Sequence, residues 1–337
     1  MEYVSSPLFP EKKLSRVALG TWAIGGSSWG GTSEKESIAT ILSALERGIN
    51  VLDTAPAYGA GVSEKFVGKA IQESKKRDKI VLSTKGGLEF LPDHNVVRNL
   101  TPAFLERDFH NSLKRLQTDY IDIYFLHWPD PLAPIEETAR FIERLYQEGK
   151  IRSIGLSNFN EEQCSLFRKI APCHFCQDPY NLFEREIESG LLSYCKKEKI
   201  TLMTYSALCR GLLSGKMSQK RVFHGDDLRK DFDRKFQSPA FEEYLQAAKE
   251  LAELAKKNHN KTLLELAIRW ILDQGVEIAI WGARRPEQLA PLDQLFNWHV
   301  TEETKKAVDE ILKRTINHPQ DISTYFGPPT RRRRPAA

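Results

Sequence analysis

The feature of this chain that most constrains its fold is a regular alternation of short apolar runs with amphipathic segments. Eight apolar runs each lead into a polar or Gly- and Pro-rich loop, and a segment with apolar residues at i, i+3 and i+4 follows each loop. This pattern predicts an α/β fold, the closed (β/α)₈ TIM barrel, with residues 1–337 in a single domain. The predicted strands are residues 16–22, 50–55, 79–85, 120–127, 153–158, 175–180, 201–207 and 277–282.

The alternative fold for such a chain is an open, doubly wound sheet. That fold usually carries a Gly-rich nucleotide-binding fingerprint directly after its first strand. The corresponding stretch here is GTWAIGGSSWGG, residues 20–31, which matches neither G-x-G-x-x-G nor the P-loop pattern. The barrel is therefore the preferred prediction.

Two parts of the chain exceed a minimal barrel. A long polar insertion, residues 215–240, follows the seventh predicted strand, and an extra C-terminal helix is predicted over residues 301–316. Because loops that follow barrel strands form the face on which active sites are built, we interpret the insertion as a lid or ligand clamp on the cofactor side. Residues 318–337 form a Pro-rich tail whose tip we expect to be flexible.

Composition argues against several functional classes. A net charge of +4 on 337 residues is small for a nucleic-acid-binding protein. No apolar run reaches membrane-spanning length, and the first residues lack the apolar stretch of a signal peptide. Five cysteines are an odd and sparse set, which indicates reduced thiols. We therefore expect a cytoplasmic monomer or weak homo-oligomer with neither nucleic-acid nor membrane partners.

Four polar residues lie where consecutive predicted strands end. Asp53 and Tyr58 belong to VLDTAPAYG at the second strand, Lys85 closes the third strand, and His127 closes the fourth. Neighbouring barrel strands lie ~4.8 Å apart, so these side chains can converge. Lys85 would neutralise a buried Asp53 and, beside Tyr58, lower the pKa of the phenol. Tyr58 would then give a proton to a carbonyl oxygen, with a second hydrogen bond from His127.

A purely structural interpretation of the same residues is that Asp53 and Lys85 form an ion pair and that His127 is a hydrogen-bonded barrel residue. For each residue alone the structural interpretation is the better one. All four at consecutive strand ends on the catalytic face favour a catalytic site for carbonyl reduction without a metal.

The segments DTAPAYG, STKGG, IDIYFLHWPD, SIGLSNF, QDPYNLFER, TYSALCRGLLSGK and GARRPEQL occur in that order and resemble the signature segments of the aldo-keto reductase superfamily. The resemblance implies a barrel that binds a nicotinamide cofactor, with Tyr58 as general acid and base, Asp53 and Lys85 tuning it, and His127 orienting the carbonyl. The cofactor-binding residues that it implies are Thr21, Trp22, Ser157, Asn158, Gln177, Tyr205, Ser206, Leu208, Gly211, Leu213, Lys216, Gly282, Arg284 and Gln288.

The segment GARRPEQL bears on the choice of cofactor. Arg284 and Arg285 are planar donors suited to a phosphate, and the helix predicted to open here would add N–H groups that favour an anion. These features favour NADP over NAD. The family often has Glu-Asn where this chain has Pro291 and Leu292, so we expect the adenine to be held more loosely or by stacking. Trp281 replaces the usual Pro, and either changes the rate of cofactor release or fills space above the barrel.

The predicted substrate pocket is aromatic. Trp22, Trp29 and Trp128 lie in loops at the catalytic face, with Phe159 as a further candidate. A narrow aromatic pocket suits small aldehydes such as glyceraldehyde and the corresponding alcohols and polyols such as glycerol. The general appearance of the chain is most like bacterial NADP-dependent glycerol dehydrogenases and glyceraldehyde reductases.

A second functional class remains open at this point, a cofactor-sensing regulatory subunit like the channel-associated barrels of the same superfamily. Two other motifs carry little weight. CHFC, residues 173–176, lacks a second pair of metal ligands nearby, and RRRR, residues 331–334, is expected to be a solvated charge run.

Overall fold

The computed structural model describes residues 1–92, 95–322 and 326–331. Its centre is a closed barrel of eight parallel strands, which confirms the predicted fold class. Each barrel strand falls within or overlaps one predicted apolar run. The barrel strands are β3 (Val17–Gly20), β4 (Val51–Asp53), β5 (Val81–Gly86), β8 (Ile123–Leu126), β9 (Ile154–Ser157), β10 (Phe175–Pro179), β11 (Thr201–Tyr205) and β12 (Ile278–Gly282).

Two short hairpins accompany the barrel. The strands β1 (Tyr3–Val4) and β2 (Leu14–Ser15) pair antiparallel before the first barrel strand. The strands β6 (Leu88–Phe90) and β7 (Val96–Arg98) pair antiparallel in the loop that follows β5. The second hairpin matters for the site, because it extends from the end of the strand that carries Lys85.

The strands bury side chains on both faces because they are covered by helices outside and by one another inside. Alternate residues such as Val51 and Val81 belong to one buried cluster, which also contains Phe9 and Leu14 from the N-terminal segment. Their neighbours Leu52 and Leu82 belong to a second, larger cluster shared with the helices. This period of two places consecutive strand residues on opposite faces of the barrel wall.

The helices mostly follow the predicted amphipathic segments, and several begin at the expected caps. Asn160 and Gln163 form a capping box at α5, as do Thr262 and Glu265 at α9. The helices are α1 (Glu34–Glu46), α2 (Val62–Ser74), α3 (Pro102–Leu116), α4 (Ile135–Gln147), α5 (Glu161–Arg168), α6 (Leu191–Glu198), α7 (Leu228–Asp231), α8 (Ala240–His259), α9 (Leu263–Asp273) and α10 (Glu302–Thr315).

One predicted helix, residues 184–199, is broken. A 3₁₀ turn, Glu186–Ser189, and α6 meet at Gly190, whose backbone is not helical. The carboxylate of Glu161 occupies the place that a Cβ on residue 190 would take, so a larger residue there would have to displace the Glu161 side chain.

The insertion after β11 is ordered along its length. It contains α7 and a 3₁₀ turn, Arg234–Phe236, and buries Asp233, Lys235 and Phe236. The extra C-terminal helix is α10, as predicted. Within the described part of the chain no helix is long and apolar enough to cross a membrane.

Candidate active site

The four predicted catalytic residues meet at the carboxyl ends of β4, β5 and β8. Lys85 Nζ lies 2.7 Å from Asp53 Oδ2 and donates to Thr54 O at 3.0 Å. The same ammonium lies 5.0 Å from the centre of the Tyr58 ring. The Tyr58 ring meets the His127 ring edge-on at 5.9 Å between centroids. The barrel geometry thus brings together an anion, a cation, a phenol and an imidazole.

The loop after β4 fixes Tyr58 through two glycines. Gly59 has a φ of 65°, and a Cβ there would collide with Gly25 O. This close approach packs the loop that carries Tyr58 against the loop after β3. Tyr58 is half-buried and borders the cleft, stacked near Trp22 at 6.2 Å between centroids.

Asp53 is held by more than its ion pair. Its Oδ1 accepts hydrogen bonds from Ser83 Oγ and Gln177 Nε2, both at 2.9 Å. Asp53 is 2% exposed, so these donors and Lys85 replace the water that the carboxylate loses. Gln177, which the family resemblance places at the nicotinamide carboxamide, therefore spends one N–H on Asp53.

The electrostatics differ from the expectation for Tyr58. Burial, and then the nearby Asp53 charge, raise the pKa of Tyr58 well above its usual value. The expected lowering of the Tyr58 pKa is wrong for this structure, because burial and the Asp53 charge dominate. Burial, and then Lys85, hold the pKa of His127 well below its usual value. At neutral pH the site therefore presents a protonated phenol and a neutral imidazole.

A second hydrogen-bonded group lies at the ends of β9 and β11. Asn158 Nδ2 donates to His127 O at 2.9 Å and to Ser157 Oγ at 3.1 Å. Tyr205 OH donates to Asn158 Oδ1 at 2.8 Å. This network links three predicted cofactor residues to the backbone of His127, so the position of the imidazole depends on them.

A cleft of ≈820 Å³ runs from Tyr58 across the ends of β11, β12 and β3. Ser157, Asn158, Gln177 and Leu213 are not among the residues that line it, and the Leu213 side chain is buried in the core. The predicted cofactor residues that do line it are Thr21, Trp22, Tyr205, Ser206, Leu208, Gly211, Lys216, Gly282, Arg284 and Gln288.

Arg284 and Arg285 follow β12 and line the cleft. Gln288 Oε1 accepts from the backbone N–H groups of both, at 2.7 and 3.0 Å. Arg284 Nη1 donates to Trp29 O at 2.9 Å, and its Nη2 donates to Gly31 O. The two arginines thus border the cleft, with Arg284 joining the loop after β12 to the loop after β3.

The helix expected to open at GARRPEQL is instead a 3₁₀ segment, Pro286–Gln294. Pro291 lies inside it and cannot supply an N–H group, which disfavours a regular α-helix. Pro291 lines the cleft, whereas Leu292 is buried in the core. Trp281 lines the inner part of the cleft and is only 1% exposed.

The predicted aromatic pocket is only partly assembled from the expected residues. Trp22 and Trp29 meet edge-on at 5.3 Å between centroids. Trp128 lies instead under the guanidinium of Arg98 at 5.1 Å. Phe159, the further candidate, is 3% exposed and belongs to the core.

Sequence reasoning missed the C-terminal segment as part of this pocket. Phe326 meets Trp22 edge-on at 5.8 Å between centroids. Arg98 N donates to Pro329 O at 3.0 Å, and Arg331 lies 2.8 Å from the buried carboxylate of Asp130. Arg331 is therefore paired, contrary to the expectation of a solvated charge run. Residues 332–337, including the remaining arginines and the tip expected to be flexible, lie outside the described residues.

The residues of CHFC make contacts within the fold. His174 Nδ1 accepts from Ile154 N at 3.0 Å, and Cys173 Sγ contacts Phe175 O at 3.4 Å. Cys176 and Cys164 are buried free thiols with their sulfurs 3.9 Å apart. Among the residues that the structure describes, no group of three or more His, Cys, Asp or Glu could hold a metal ion.

Comparison with known proteins places this chain in one family. The family model "Aldo/keto reductase family" matches residues 16–313. Aldo-keto reductase YhdN of Bacillus subtilis (strain 168) is 54% identical over 318 residues, which are 94% of this chain and 95% of that protein. The NADH-specific methylglyoxal reductase of Escherichia coli (strain K12) is 35% identical, over 82% of this chain and 88% of that one.

Two solved structures show the same architecture. The glycerol dehydrogenase AKR11B4 from Gluconobacter oxydans has a TM-score of 0.85 at 45% identity, covering 95% of this chain and 97% of the other. An aldo/keto reductase from Klebsiella pneumoniae in complex with NADP and acetate has a TM-score of 0.68 at 28% identity, covering 89% and 92%.

The chain belongs to the aldo/keto reductase family. It is an NAD(P)-dependent aldo-keto reductase, an oxidoreductase that acts on small carbonyl substrates, which confirms the prediction of an enzyme. Relatives bind NADP, and one is NADH-specific, so membership alone leaves the nicotinamide cofactor open between the two forms.

Proposed function

We propose that this enzyme uses NADP(H) to reduce small, glyceraldehyde-like aldehydes and to oxidise the corresponding alcohols and polyols, with Tyr58 as the general acid and base. The observation that carries the proposal is the meeting of Tyr58, the Lys85–Asp53 ion pair and His127. Tyr58 and Asp53 line the same cleft as Arg284 and Arg285.

The residues of the cleft fit a nicotinamide dinucleotide. The cleft has two kinds of lining residues. One kind is polar or aromatic and includes Tyr58 and Tyr205, and the other is cationic and includes Arg285. A dihydronicotinamide supplies a hydride equivalent when it is bound. The basic side chains that line the cleft outnumber the carboxylates, which suits a ligand with phosphate groups. The basic residues are Arg210, Lys216, Arg221, Arg229, Arg284 and Arg285, and the acidic ones are Glu36, Asp53 and Glu287.

The preference for NADP over NAD rests on Arg284 and Arg285. Both arginines line the cleft, and Arg285 forms an exposed ion pair with Glu36 at 3.4 Å. A planar guanidinium with unused donors is suited to the additional 2′-phosphate of NADP. Arg284 uses one N–H of each terminal nitrogen on Trp29 O and Gly31 O, so Arg285 has more of its donors available.

The chemistry at Tyr58 depends on the protonation states of the catalytic side chains. Tyr58 holds its proton at neutral pH and can release it to an oxygen that gains negative charge as the carbonyl carbon is reduced. Neutral His127 donates a hydrogen bond to the same oxygen and orients the carbonyl. Lys85 lies close enough to stabilise the phenolate left behind, and Asp53 holds the ammonium in place. In alcohol oxidation the same groups act in reverse.

The small-substrate proposal rests on the aromatic side of the cleft. Trp29 and Phe326 each meet the Trp22 ring edge-on, and Trp22 stacks near Tyr58, so aromatic rings lie beside the general acid. Such walls suit short substrates whose polar groups meet a few fixed donors. The glycerol dehydrogenase neighbour supports glycerol and related polyols as candidate substrates.

The test is steady-state turnover with NADPH and NADH against glyceraldehyde, methylglyoxal and glycerol, with Tyr58→Phe as the matched variant. We expect NADPH-dependent reduction of the aldehydes and a fall in kcat of ~10²–10⁴ in Tyr58→Phe, because proton transfer is lost while the ring and its packing remain. NADPH affinity should stay within a few-fold of the parent (~2–3). Full activity in Tyr58→Phe would reject Tyr58 as the acid, and a clear preference for NADH would reject the cofactor assignment.

A further inference from the structure

Three buried hydroxyl groups are hydrogen-bonded to one another beside the catalytic residues. Ser63 Oγ lies 2.7 Å from Thr21 Oγ1 and 2.8 Å from Thr54 Oγ1. Thr21 Oγ1 in turn donates to Asp53 O at 2.8 Å. Thr21, Ser63 and Thr54 are each 0% exposed, so their hydroxyl groups must find partners within the protein. We call these three residues the hydroxyl triad.

The direction of these hydrogen bonds follows from counting hydrogens, because a serine or threonine hydroxyl has only one to donate. Thr21 uses its hydrogen on Asp53 O, so Ser63 is the donor to Thr21, whose Oγ1 and O lie 2.7 and 3.0 Å away. Ser63 then has no hydrogen left, and the hydrogen between Thr54 and Ser63 belongs to Thr54. The bonds therefore run from Thr54 through Ser63 and Thr21 to the backbone of Asp53.

Ser63, the middle member of the hydroxyl triad, joins the segments that carry the catalytic residues. It lies in the first turn of α2, and its backbone N–H donates to Tyr58 O at 3.2 Å. Its side chain contacts Thr54, whose carbonyl oxygen accepts from Lys85 Nζ at 3.0 Å. One residue thus contacts both the loop that carries Tyr58 and the residue that holds Lys85.

The orientation of the Lys85 ammonium depends on its acceptors. An ammonium has three N–H donors, and two acceptors for Lys85 are found among the described residues. They are Asp53 Oδ2 at 2.7 Å and Thr54 O at 3.0 Å. The ammonium lies 5.0 Å from the centre of the Tyr58 ring. A shift of the Thr54 carbonyl would therefore turn the ammonium relative to Tyr58 even while the ion pair with Asp53 is kept.

We infer that Ser63 is a positioning residue that acts through Thr54 on Lys85, and that its hydroxyl keeps the ammonium oriented toward Tyr58 during proton transfer. The inference rests on the proposed function for the role of Tyr58. Replacing both partners of a buried neutral hydrogen bond by apolar groups of the same shape can leave stability nearly unchanged, so stability alone explains the hydroxyl triad poorly. A hydrogen bond has a preferred direction, which apolar packing lacks, and it therefore fixes the orientation of Thr54 more strictly.

The test compares Ser63→Ala with Ser153→Ala. Ser63→Ala removes the middle hydroxyl, which leaves Thr54 without its acceptor and Thr21 without its donor. Ser153 is also 0% exposed, and its Oγ donates to Asp122 O at 2.7 Å. Neither Ser153 nor Asp122 lines the cleft, so the control removes a similar buried hydrogen bond elsewhere in the molecule.

Steady-state kinetics and NADPH binding give the first readout. Ser63→Ala should lower kcat roughly three- to tenfold, because a small displacement of a catalytic group slows the reaction. The Kd of NADPH should stay within about twofold of the parent, because the lost interaction matters only in the transition state. Ser153→Ala should change neither value, although urea denaturation should show that both variants are less stable.

The pH profile of alcohol oxidation gives a readout that a loss of stability alone would not move. Oxidation needs the Tyr58 phenolate, which the Lys85 ammonium stabilises. A less well oriented ammonium raises the pKa of Tyr58, so the ascending limb of kcat should move to higher pH in Ser63→Ala and stay in place in Ser153→Ala. Both variants keep all the titratable groups beside Tyr58, which are Asp53, Lys85, His127 and Tyr205.

Thr54→Val provides a second variant and keeps the inference testable if Ser63→Ala does not fold. It replaces the hydroxyl that donates to Ser63 by a methyl group of similar size. Thr54→Val should lower kcat as Ser63→Ala does, and the double variant should lower it no further, because both changes break the same connection to Lys85. Urea denaturation of the three variants needs no cofactor, and the double variant should lose less stability than the sum of the single losses.

An unchanged kcat in Ser63→Ala, beside an inactive Tyr58→Phe, would overturn the role of Ser63 and leave the proposed function intact. Weaker binding of NADPH with an unchanged kcat would also overturn it, because the hydroxyl triad would then act through Thr21. Additive losses of kcat in the double variant would reject the route through Thr54. Full activity in Tyr58→Phe would reject the proposed function and, with it, the role of Ser63.

Discussion

The strand β5 carries buried polar side chains on both of its faces. The two faces differ in how the charged groups beside them are paired. On the inner face Lys85 pairs with Asp53, and one cation meets one anion. On the outer face Thr84 donates to Glu64 at 2.7 Å, behind the active site. Glu64 lies near a second carboxylate, Asp108. Adjacent residues of one strand thus belong to a balanced group and to a group with excess negative charge.

The difference appears in the protonation of the carboxyl groups. On the outer face Arg115 Nε pairs with Glu64 at 2.6 Å, and the one donor to Asp108 found among the described residues is Gly87 N at 3.3 Å. Burial, and then the Glu64 charge, raise the pKa of Asp108 to about 7. The inner pair shows that a buried carboxylate is tolerated where a cation and two donors meet it. Asp108, which is buried beside the Glu64 carboxylate, keeps its proton to a pH above its usual range although Arg115 and Arg107 lie near it.

The largest effect should come from removing the cation of the inner face. Lys85→Met leaves the Asp53 carboxylate buried and unpaired, and we expect a loss of about 3–5 kcal/mol in the free energy of unfolding. Turnover should fall by ~10²-fold or more, because the phenolate of Tyr58 is no longer stabilised. Urea denaturation measures the first effect and steady-state kinetics the second.

The double variant Asp53→Asn/Lys85→Met separates structure from catalysis. Removing both charges should restore most of the lost stability, because no uncompensated charge stays buried. Turnover should stay low, since the ammonium is still missing. A double variant that regains turnover together with stability would show that Asp53 and Lys85 are only a structural ion pair.

Much of this arrangement could be predicted from the sequence, because a barrel aligns its strand ends. Once Asp53, Lys85 and His127 were assigned to the ends of consecutive strands, their convergence could be inferred from the spacing of strands. The eight strands themselves could be predicted from apolar runs bounded by turn residues. The pattern of apolar runs and turn residues could not show whether burial or nearby charge would dominate the pKa of a side chain. The predicted direction of the Tyr58 pKa was wrong for that reason.

Contacts between distant segments were also beyond prediction. Arg210 lies in TYSALCRGLLSGK but is not among the cofactor residues that the resemblance implies, and its partner Asp233 lies in an insertion described from the sequence only as polar. Phe326 lies in the Pro-rich tail, yet it packs on Trp22. Neither pairing has a periodic signal along the chain, because each joins segments whose relative position is set only by the finished fold.

A smaller effect should come from the outer face. Asp108→Asn keeps an acceptor for Gly87 N but cannot ionise, so it should stabilise the protein at alkaline pH by on the order of 2 kcal/mol. The folded pKa of Asp108 is raised from 3.8 to about 7, so the wild type loses stability at this site as pH rises between those values. Above about pH 7 the penalty is constant.

The measurement is the difference in unfolding free energy between Asp108→Asn and wild type across pH 4 to 9, which cancels the other titrating groups. The difference should grow as pH rises toward 7 and then level off. A difference that does not change with pH would mean that Asp108 ionises in the folded protein as it does in the unfolded chain.

The smallest effect should come from Glu64→Gln, which asks whether the outer face is governed by excess charge or by burial alone. Gln keeps an acceptor for Thr84 Oγ1 and removes the negative charge that is the second cause of the Asp108 shift. The pKa of Asp108, followed by carboxyl ¹³C NMR, should therefore fall below its wild-type value yet stay above 3.8, because burial is the larger cause and is unchanged. An unmoved pKa would leave burial as the whole explanation. The contrast between the two faces of β5 would then concern hydrogen-bond donors, which Asp53 has and Asp108 largely lacks, rather than the number of charges on each side.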